Sequence, residues 1–327
     1  MSNQPVAAAV TLAGVMAHCG GSPVVAVELL VGAIASTPAA PEPYAALAEL
    51  WQDRRSELKE CLEGDGSLSA VLAQAYFLFL EGDMDSAVMA LGSVTGARPN
   101  VAWGAGPWFS DVRFLDVVSA AALAEACLRT LDNGHDLDTD EMRERFAPWF
   151  RALDVVSDRD PVPESLAAMA RLPRACGRYE QSLALCDRAD AVDRVMWTAV
   201  ARASTWRVMG DLDQAAAAFE GALLLDSANW SLYLDLADVR AEQGDFAAAA
   251  SLVEQGLDYK PHEVKLRAAS AAYRARLTSS SDDLRALITL APEIANTTYR
   301  NLLVDYACAG PKLPRRLVAK ARRIRKK

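Results

Sequence analysis

Apolar residues along much of the chain recur every three or four positions, the spacing that places them on one face of an α-helix. In the C-terminal half the pattern also repeats at an interval of 34 residues. The residues that recur at this interval are Gly210 and Gly244, Asp211 and Asp245, Ala215 and Ala249, and Leu223 and Leu257. Each copy has a helical stretch, a Gly-Asp turn and a second helical stretch. The pattern therefore predicts an array of repeated helix pairs.

The two best copies, residues 196–229 and 230–263, resemble the tetratricopeptide repeat. That family places small residues where the two helices of a unit cross and large residues between neighbouring units. The matching residues are Ala203, Trp206, Ala215, Phe219 and Ala222 in the first copy, and Tyr233, Leu236, Ala237, Ala249, Gly256 and Pro261 in the second. The resemblance implies an all-α fold, a superhelical array of about seven to nine antiparallel helix pairs of the α-solenoid type.

Weaker copies extend the array in both directions. Residues 7–40, 68–101 and 163–195 follow the same template, and residues 264–291 form a shortened unit that turns at Thr278 to Ser281. Within residues 163–195, Pro173 falls inside the first helix, which we therefore expect to be kinked or short.

Two stretches depart from the template. Residues 41–67 lack the Gly turn and predict one long helix from Pro43 to Leu62, or two short ones. Residues 102–162 predict an expanded pair at about 110–132 and 139–157, with a capping box at Asp138 to Glu141 and an interruption at Pro148. The predicted organisation is N-terminal repeats over 1–101, an irregular Trp-rich pair over 102–162, C-terminal repeats over 163–310, and a basic tail over 311–327.

The composition, 52% hydrophobic and 24% charged, excludes a mainly disordered chain. The six cysteines form no CxxC pair, so we expect thiols rather than a disulfide framework. No apolar run reaches the ~20 residues of a membrane span, and no Lys or Arg precedes the apolar run Val6 to Ala17, as a signal peptide would require. These features predict a cytoplasmic protein, and the use of Arg over Lys together with many Ala suggests a bacterial source.

The sequence offers little for catalysis. Its three histidines, His18, His135 and His262, lie in separate units without an HExxH motif or a Cys/His cluster. In the acidic run Asp132 to Glu141, a calcium loop that starts at Asp136 would have Glu141 where Gly is required and Ala147 where the final Glu belongs. The stretch Gly104 to Gly106 has no phosphate-loop Lys. We therefore expect a protein that is not an enzyme and has no cofactor or metal.

Large aromatic residues concentrate in the irregular central stretch. They are Trp103, Trp108, Phe109, Trp149 and Phe150. The favoured interpretation is a buried plug between the two repeat arrays, because large aromatics usually contribute by burial. The alternative is an exposed patch that contacts a ligand.

The resemblance implies a binding surface, because in this family the first helix of each unit lines a concave groove. The residues expected there are Arg171, Arg174, Trp197, Arg207, Asp235, Asp238 and Glu242, followed by Lys265 and Arg276. They do not form the Lys/Asn carboxylate clamp with which some members hold chaperone tails. We expect arginines and acids to orient a peptide or protein segment, with Trp197 as an apolar anchor. The alternative is an ordinary solvated helix face.

Charge is divided unevenly along the chain, whose net charge is −9. Residues 311–327 contain nine Lys or Arg and no Asp or Glu, which leaves 25 basic and 43 acidic residues in the rest. The candidate tail residues are Arg315, Arg316, Lys320, Arg322 and Arg323, and apolar residues lie among them at helical spacing. The tail could cap the array, bind nucleic acid or an anionic surface, or dock onto the acidic body of its own or a second copy.

The function that these features favour is a non-enzymatic scaffold that binds a peptide or protein partner. Association with nucleic acid through the tail is an alternative, and self-association is possible. A third hypothesis is an accessory subunit that presents a substrate to an enzyme.

Overall fold

The computed structural model describes residues 4–18 and 21–326, which form helices and connecting turns without a strand. Cys19 and the side chain of His18 lie outside this described part. The chain divides into two compact units, Met1–Arg194 (unit 1) and Val195–Lys327 (unit 2). Among the described residues, no helix is both long and apolar enough to cross a membrane.

The helices of unit 1 are α1 Gln4–His18, α2 Pro23–Ser36, α3 Pro41–Leu62, α4 Leu68–Glu81, α5 Met84–Ala97, α6 Val112–Leu115, α7 Ala120–Leu131, α8 Asp140–Arg145, α9 Ala147–Arg159, α10 Pro163–Met169, α11 Arg171–Ala175 and α12 Tyr179–Val192. The helices of unit 2 are α13 Met196–Met209, α14 Leu212–Leu225, α15 Trp230–Glu242, α16 Phe246–Tyr259, α17 Val264–Thr278, α18 Ser281–Leu290, α19 Thr297–Cys308 and α20 Arg315–Arg322.

The Gly-Asp turns form as the repeat pattern predicts. Gly210 ends α13 in the left-handed conformation (φ 83°), which glycine adopts without steric cost. Asp211 then caps α14, because its carboxylate accepts a hydrogen bond from the backbone N–H of Gln214. The turn after α15 uses Gly244 and Asp245 in the same way. A two-residue turn of this kind reverses the chain and starts the next helix at once.

Small residues let the helices of unit 2 approach closely. Ala215, Ala222 and Ala249 are fully buried in the helix pairs. A Cβ on Gly256 would lie 3.0 Å from Leu266 Cδ2 and 3.1 Å from Tyr233 Cβ, which is closer than ordinary van der Waals contact. The small positions of the repeat are therefore fixed by the distance between packed helices.

Unit 1 contains a kinked helix and several short helices. Helix α3 spans most of residues 41–67 and is kinked at Arg54, where φ is −132° and ψ is 32°. Pro173 lies in the five-residue helix α11, so the prediction of a short helix there is confirmed. Pro148 lies in the first turn of α9, where its missing N–H has no intrahelical partner to lose.

The helix predicted at about 110–132 is wrong, because two helices, α6 and α7, occupy this stretch. Ser119 caps α7 by accepting a hydrogen bond from the N–H of Ala122. Asp85 in turn binds both the N–H and the hydroxyl of Ser119 at 2.8 Å. This tertiary contact from α5 fixes the point at which the new helix begins.

The large aromatic residues of the central stretch are buried inside unit 1. Trp103, Trp108, Phe109, Trp149 and Phe150 are all at most 3% exposed. The Phe109 and Trp149 rings lie 4.8 Å apart, and Phe114 stacks obliquely on Phe109 at 5.1 Å. These residues are core packing and not an exposed ligand patch.

Candidate functional site

The first helices of successive pairs in unit 2 lie side by side and share polar contacts on one face. Arg207 of α13 donates to Glu242 of α15, with Nη2 2.6 Å from Oε1 and Nε 3.1 Å from both oxygens. This bidentate geometry holds both side chains in one orientation. We call the surface formed by Arg207, Asp235, Asp238 and Glu242 with Tyr273 and Tyr299 the groove face.

Asp238 lies at the centre of the groove face and is only 6% exposed. Its Oδ1 accepts hydrogen bonds from the hydroxyls of Tyr273, on α17, and Tyr299, on α19, the latter at 3.1 Å. One carboxylate thus joins three helices, α15, α17 and α19. A buried carboxylate costs free energy unless it is hydrogen-bonded, so these two hydroxyls are what make its burial tolerable.

Asp235 lies one turn before Asp238 on the same face of α15 and is half-buried. Among the described residues it makes no hydrogen bond or ion pair. The charges of Arg207 and Lys265 are nonetheless near enough to act on it. Both oxygens of Asp235 therefore remain available as acceptors at the floor of the face.

Burial controls the protonation of both acids. Desolvation raises the pKa of Asp235 to about 6, against the opposing charges of Arg207 and Lys265. Desolvation also raises the pKa of Asp238 to about 6, although the Tyr273 hydrogen bond and the Arg207 charge act to lower it. Both carboxylates are thus mainly charged at pH 7 and mainly neutral at pH 5.

Aromatic rings form a wall beside these acids. Phe246 packs edge-on against Tyr306 with ring centroids 5.3 Å apart, and Tyr273 lies 6.1 Å from both rings. The Arg276 guanidinium lies over the Phe246 ring at 5.2 Å. The face therefore combines fixed charges with aromatic surface, as peptide-contact surfaces often do.

The structure brings together four of the sequence-predicted residues, Arg207, Asp235, Asp238 and Glu242. Trp197, near the start of α13, is 56% exposed, and among the described residues it makes no hydrogen bond or ring contact. Arg171 and Arg174 belong to unit 1. Arg171 is exposed, whereas Arg174 is partly buried. Burial of Arg174, together with the charge of Arg171, lowers the pKa of Arg174 to about 10.

Sequence reasoning missed the tyrosines that hold the face together. Tyr273 and Tyr306 are each the tenth residue of their helices, α17 and α19, so a repeated position could have revealed them. Tyr299 occupies no such repeated position. Its hydroxyl reaches Asp238 from 61 residues away, which only the packed array shows.

The groove face presents carboxylates, a guanidinium and tyrosine hydroxyls. Among the described residues, no group of three or more His, Cys, Asp or Glu is placed to hold a metal. The hydroxyls nearest the acids belong to tyrosines, and burial raises the pKa of Tyr273 and Tyr299 above the ordinary range, so they stay protonated as donors.

Four of the candidate tail residues lie on α20, and Arg323 directly follows the helix. Its apolar residues Leu317, Val318 and Ala321 pack against the core of α18 and α19. The candidate cations are all exposed: Arg315, Arg316, Lys320, Arg322 and Arg323. Just after the helix, Arg325 pairs with Asp305 of α19 at 2.8 Å. The basic segment is therefore a helix docked on the last repeat, with its cationic side chains accessible to solvent.

A family model of the tetratricopeptide repeat matches residues 209–273. No relative is found among the curated proteins. Solved structures are similar at low identity. A tetratricopeptide repeat protein from Parabacteroides merdae has 14% identity and a TM-score of 0.40, with 99% of this chain and 100% of that chain covered. A thermophilic protein of Thermus thermophilus has 16% identity and a TM-score of 0.38, with 63% of this chain and 98% of that chain covered. The Cut9–Hcn1 heterotetramer of APC/C has 12% identity and a TM-score of 0.39, with 87% of this chain and 52% of that chain covered.

The matched residues run from the end of α13 to the middle of α17 and include both Gly-Asp turns of unit 2. They are also the stretch in which the 34-residue interval is clearest. The repeat interval, the buried small residues and the family match agree that residues 209–273 form tetratricopeptide repeats.

Proposed function

We propose that this protein is a non-catalytic scaffold that binds a peptide or protein segment on the groove face of unit 2. Proteins of this fold generally serve as interaction scaffolds. The site is fixed in advance, because Arg207 is held by Glu242 and Asp238 by two tyrosines. A preorganised surface loses little side-chain entropy on binding, so most of the ordering cost falls on the partner.

The proposal rests on the hydrogen bonding and the raised pKa values of Asp235 and Asp238. Asp235 has no hydrogen-bonding partner within the part of the chain that the structure describes, and Asp238 uses Oδ1 for both tyrosines. A raised carboxylate pKa means that the folded protein destabilises the charged form. A Lys or Arg side chain of a bound segment would supply the missing donors and charge. We therefore infer that the preferred segment is basic.

The test is fluorescence anisotropy with a labelled short peptide that carries lysines in a Ser/Gly background, compared with its glutamate counterpart. The full chain should bind the lysine peptide and not the glutamate peptide. Asp235→Asn with Asp238→Asn should weaken binding about tenfold or more, because each change removes a charged acceptor. Affinity of the unmodified chain should also fall as pH drops from 7 to 5.

Glu254→Gln with Asp258→Asn is the matched control, because both acids are exposed on α16 and the charge change is the same. This control should leave binding unchanged. Stronger binding of the glutamate peptide, or equal effects of the two double variants, would contradict the proposal.

A second candidate function is association with an anionic polymer through α20. It is supported by the four exposed cations of that helix and by Arg323, which directly follows it. Such binding should weaken steeply between about 50 and 200 mM salt, whereas groove binding should depend on salt much less. Removing residues 311–327 is a poor test, because Leu317, Val318 and Ala321 would leave the core with them. Charge substitutions on α20 are the better test.

The remaining parts of the proposal concern cellular location, a role as an accessory subunit and self-association. We propose a cytoplasmic location, which the five free thiols of the described residues support. A role as an accessory subunit would use the same groove face. Size-exclusion chromatography with light scattering would detect self-association as a mass above 35.2 kDa.

A further inference from the structure

A cavity of about 480 Å³ lies between α20 and the segment that precedes it. The residues that line it are Cys308, Gly310, Leu313, Arg315, Val318, Ala319, Arg322 and Arg323. Its volume falls within the range of small-molecule sites, about 300–1,000 Å³. We call this cavity the arginine pocket.

The spacing of the arginines explains why they meet there. Arg315, Ala319 and Arg322 follow one another at intervals of four and three residues, which places them on one face of α20. Arg315 and Arg322 are two turns apart, about 10 Å along the helix axis at 1.5 Å per residue. The neighbouring face carries Leu317 and Ala321, which pack on the core and fix the rotation of the helix.

The opposite wall is tightly packed. A Cβ on Gly310 would lie 2.8 Å from the carbonyl oxygen of Ala275 and 2.8 Å from Leu313 Cδ1, so only glycine fits there. The Cys308 thiol donates a hydrogen bond to the carbonyl oxygen of Val318 at 4.0 Å, and this contact joins the wall to α20.

The charges in the pocket are all of one sign. Arg315, Arg322 and Arg323 contribute three positive charges, and no Asp or Glu is among the described residues that line the pocket. Asp305, which is nearby, is paired with Arg325 outside the lining. Like charges gathered around one cavity repel one another, and a bound anion removes that cost.

We propose that the arginine pocket binds a compact phosphate-bearing anion, a di- or triphosphate group, with Arg315, Arg322 and Arg323 as its donors. The guanidinium fork matches two phosphate oxygens at once, and three forks match a group with several such oxygens. The apolar side chains of Leu313 and Val318 leave room for an attached organic moiety. The site is separate from the groove face and does not depend on peptide binding there.

The test is isothermal titration calorimetry of the full chain with inorganic pyrophosphate. The unmodified chain should show saturable binding, and Arg315→Gln with Arg322→Gln should weaken it about tenfold or more. Arg316→Gln with Lys320→Gln removes the same charge from the same helix outside the pocket lining, and should weaken binding less than about threefold. Circular dichroism should show both variants folded.

Three results would contradict the proposal that the arginine pocket binds a phosphate-bearing anion. They are no saturable binding of pyrophosphate by the unmodified chain, equal weakening by the two double variants, and binding of an oligothymidylate that pyrophosphate does not displace. The last two would mean that α20 acts as a diffuse basic surface, which is the second candidate function above. Displacement of the oligonucleotide by pyrophosphate, and more tightly by adenosine triphosphate, would support the pocket and indicate a free phosphorylated compound as its ligand.

Discussion

The crossing of α5 and α7 in unit 1 gives the sharpest prediction about stability. Gly92 and Gly96 lie one turn apart on α5, directly against the backbone of α7. A Cβ on Gly92 would lie 2.6 Å from the carbonyl oxygen of Ala126 and 2.8 Å from its Cα, and a Cβ on Gly96 would clash with the carbonyl oxygen of Arg129. Backbone atoms cannot rotate away as a side chain can, so Gly92→Ala must push the two helices apart.

The size of the effect follows from that distance. Ordinary contact begins at 3.4 Å, so the crossing must open by about 0.8 Å. Overpacking of this kind costs about 1–3 kcal/mol. Alanine returns up to about 1 kcal/mol through its higher helix propensity. We therefore expect Gly92→Ala to lower the free energy of unfolding by about 1–2 kcal/mol.

Gly32→Ala is the matched control, because Gly32 also lies inside a helix of unit 1 but has no atom within 4 Å of the added Cβ. It should stabilise the protein by about 0.5–1 kcal/mol through propensity and reduced freedom of the unfolded chain. Urea unfolding followed by circular dichroism measures both variants. The reasoning is refuted if Gly92→Ala is as stable as the unmodified chain, or if the two substitutions have the same sign.

Three further predictions concern the core and the groove face. Trp149→Ala should lower the free energy of unfolding by about 3–5 kcal/mol, since the ring is 1% exposed, and urea unfolding should show a lower midpoint. The folded-state pKa of Asp235, about 6, lies above its unfolded value, so the stability it contributes is present below pH 4 and is lost as pH rises through 6. Asp235→Asn should therefore raise stability at pH 7.5 by about 1–2 kcal/mol and have little effect at pH 4, whereas Asp258→Asn should change neither. A double-mutant cycle on Arg207 and Glu242 should give a coupling of about 0.5–1 kcal/mol, because the pair is partly exposed, and a value near zero would show that it does not order the face.

The substitution Asp235→Asn tests whether the same carboxylate affects both stability and peptide binding. If Asp235→Asn stabilises the protein at neutral pH but weakens peptide binding, the carboxylate is retained at a cost to folding. Binding sites often contain such destabilising groups, because polar groups that are already paired within the protein are not available to pair with a partner. A variant that is more stable and also binds as well would argue that Asp235 has no role in recognition.

The repeat and its turns can be predicted from local sequence alone. Gly210 with Asp211, and Gly244 with Asp245, are local signals, since a glycine that ends one helix and an acid that caps the next depend on only a few neighbouring residues. The short helix at Pro173 follows from the same local logic. Four residues of the groove face could be named because a repeat places equivalent positions on the same side of every pair.

Features that depend on which helices pack together could not be predicted from local sequence. Ser119 begins α7 because Asp85 reaches it from α5. Asp238 is held by Tyr299, which is distant in sequence. The arginines of α20 converge on a cavity only because the apolar side of that helix docks on α18 and α19. Local residues fix a turn or a helix end, whereas the pairing of distant charges and rings requires the packing that sets their distances.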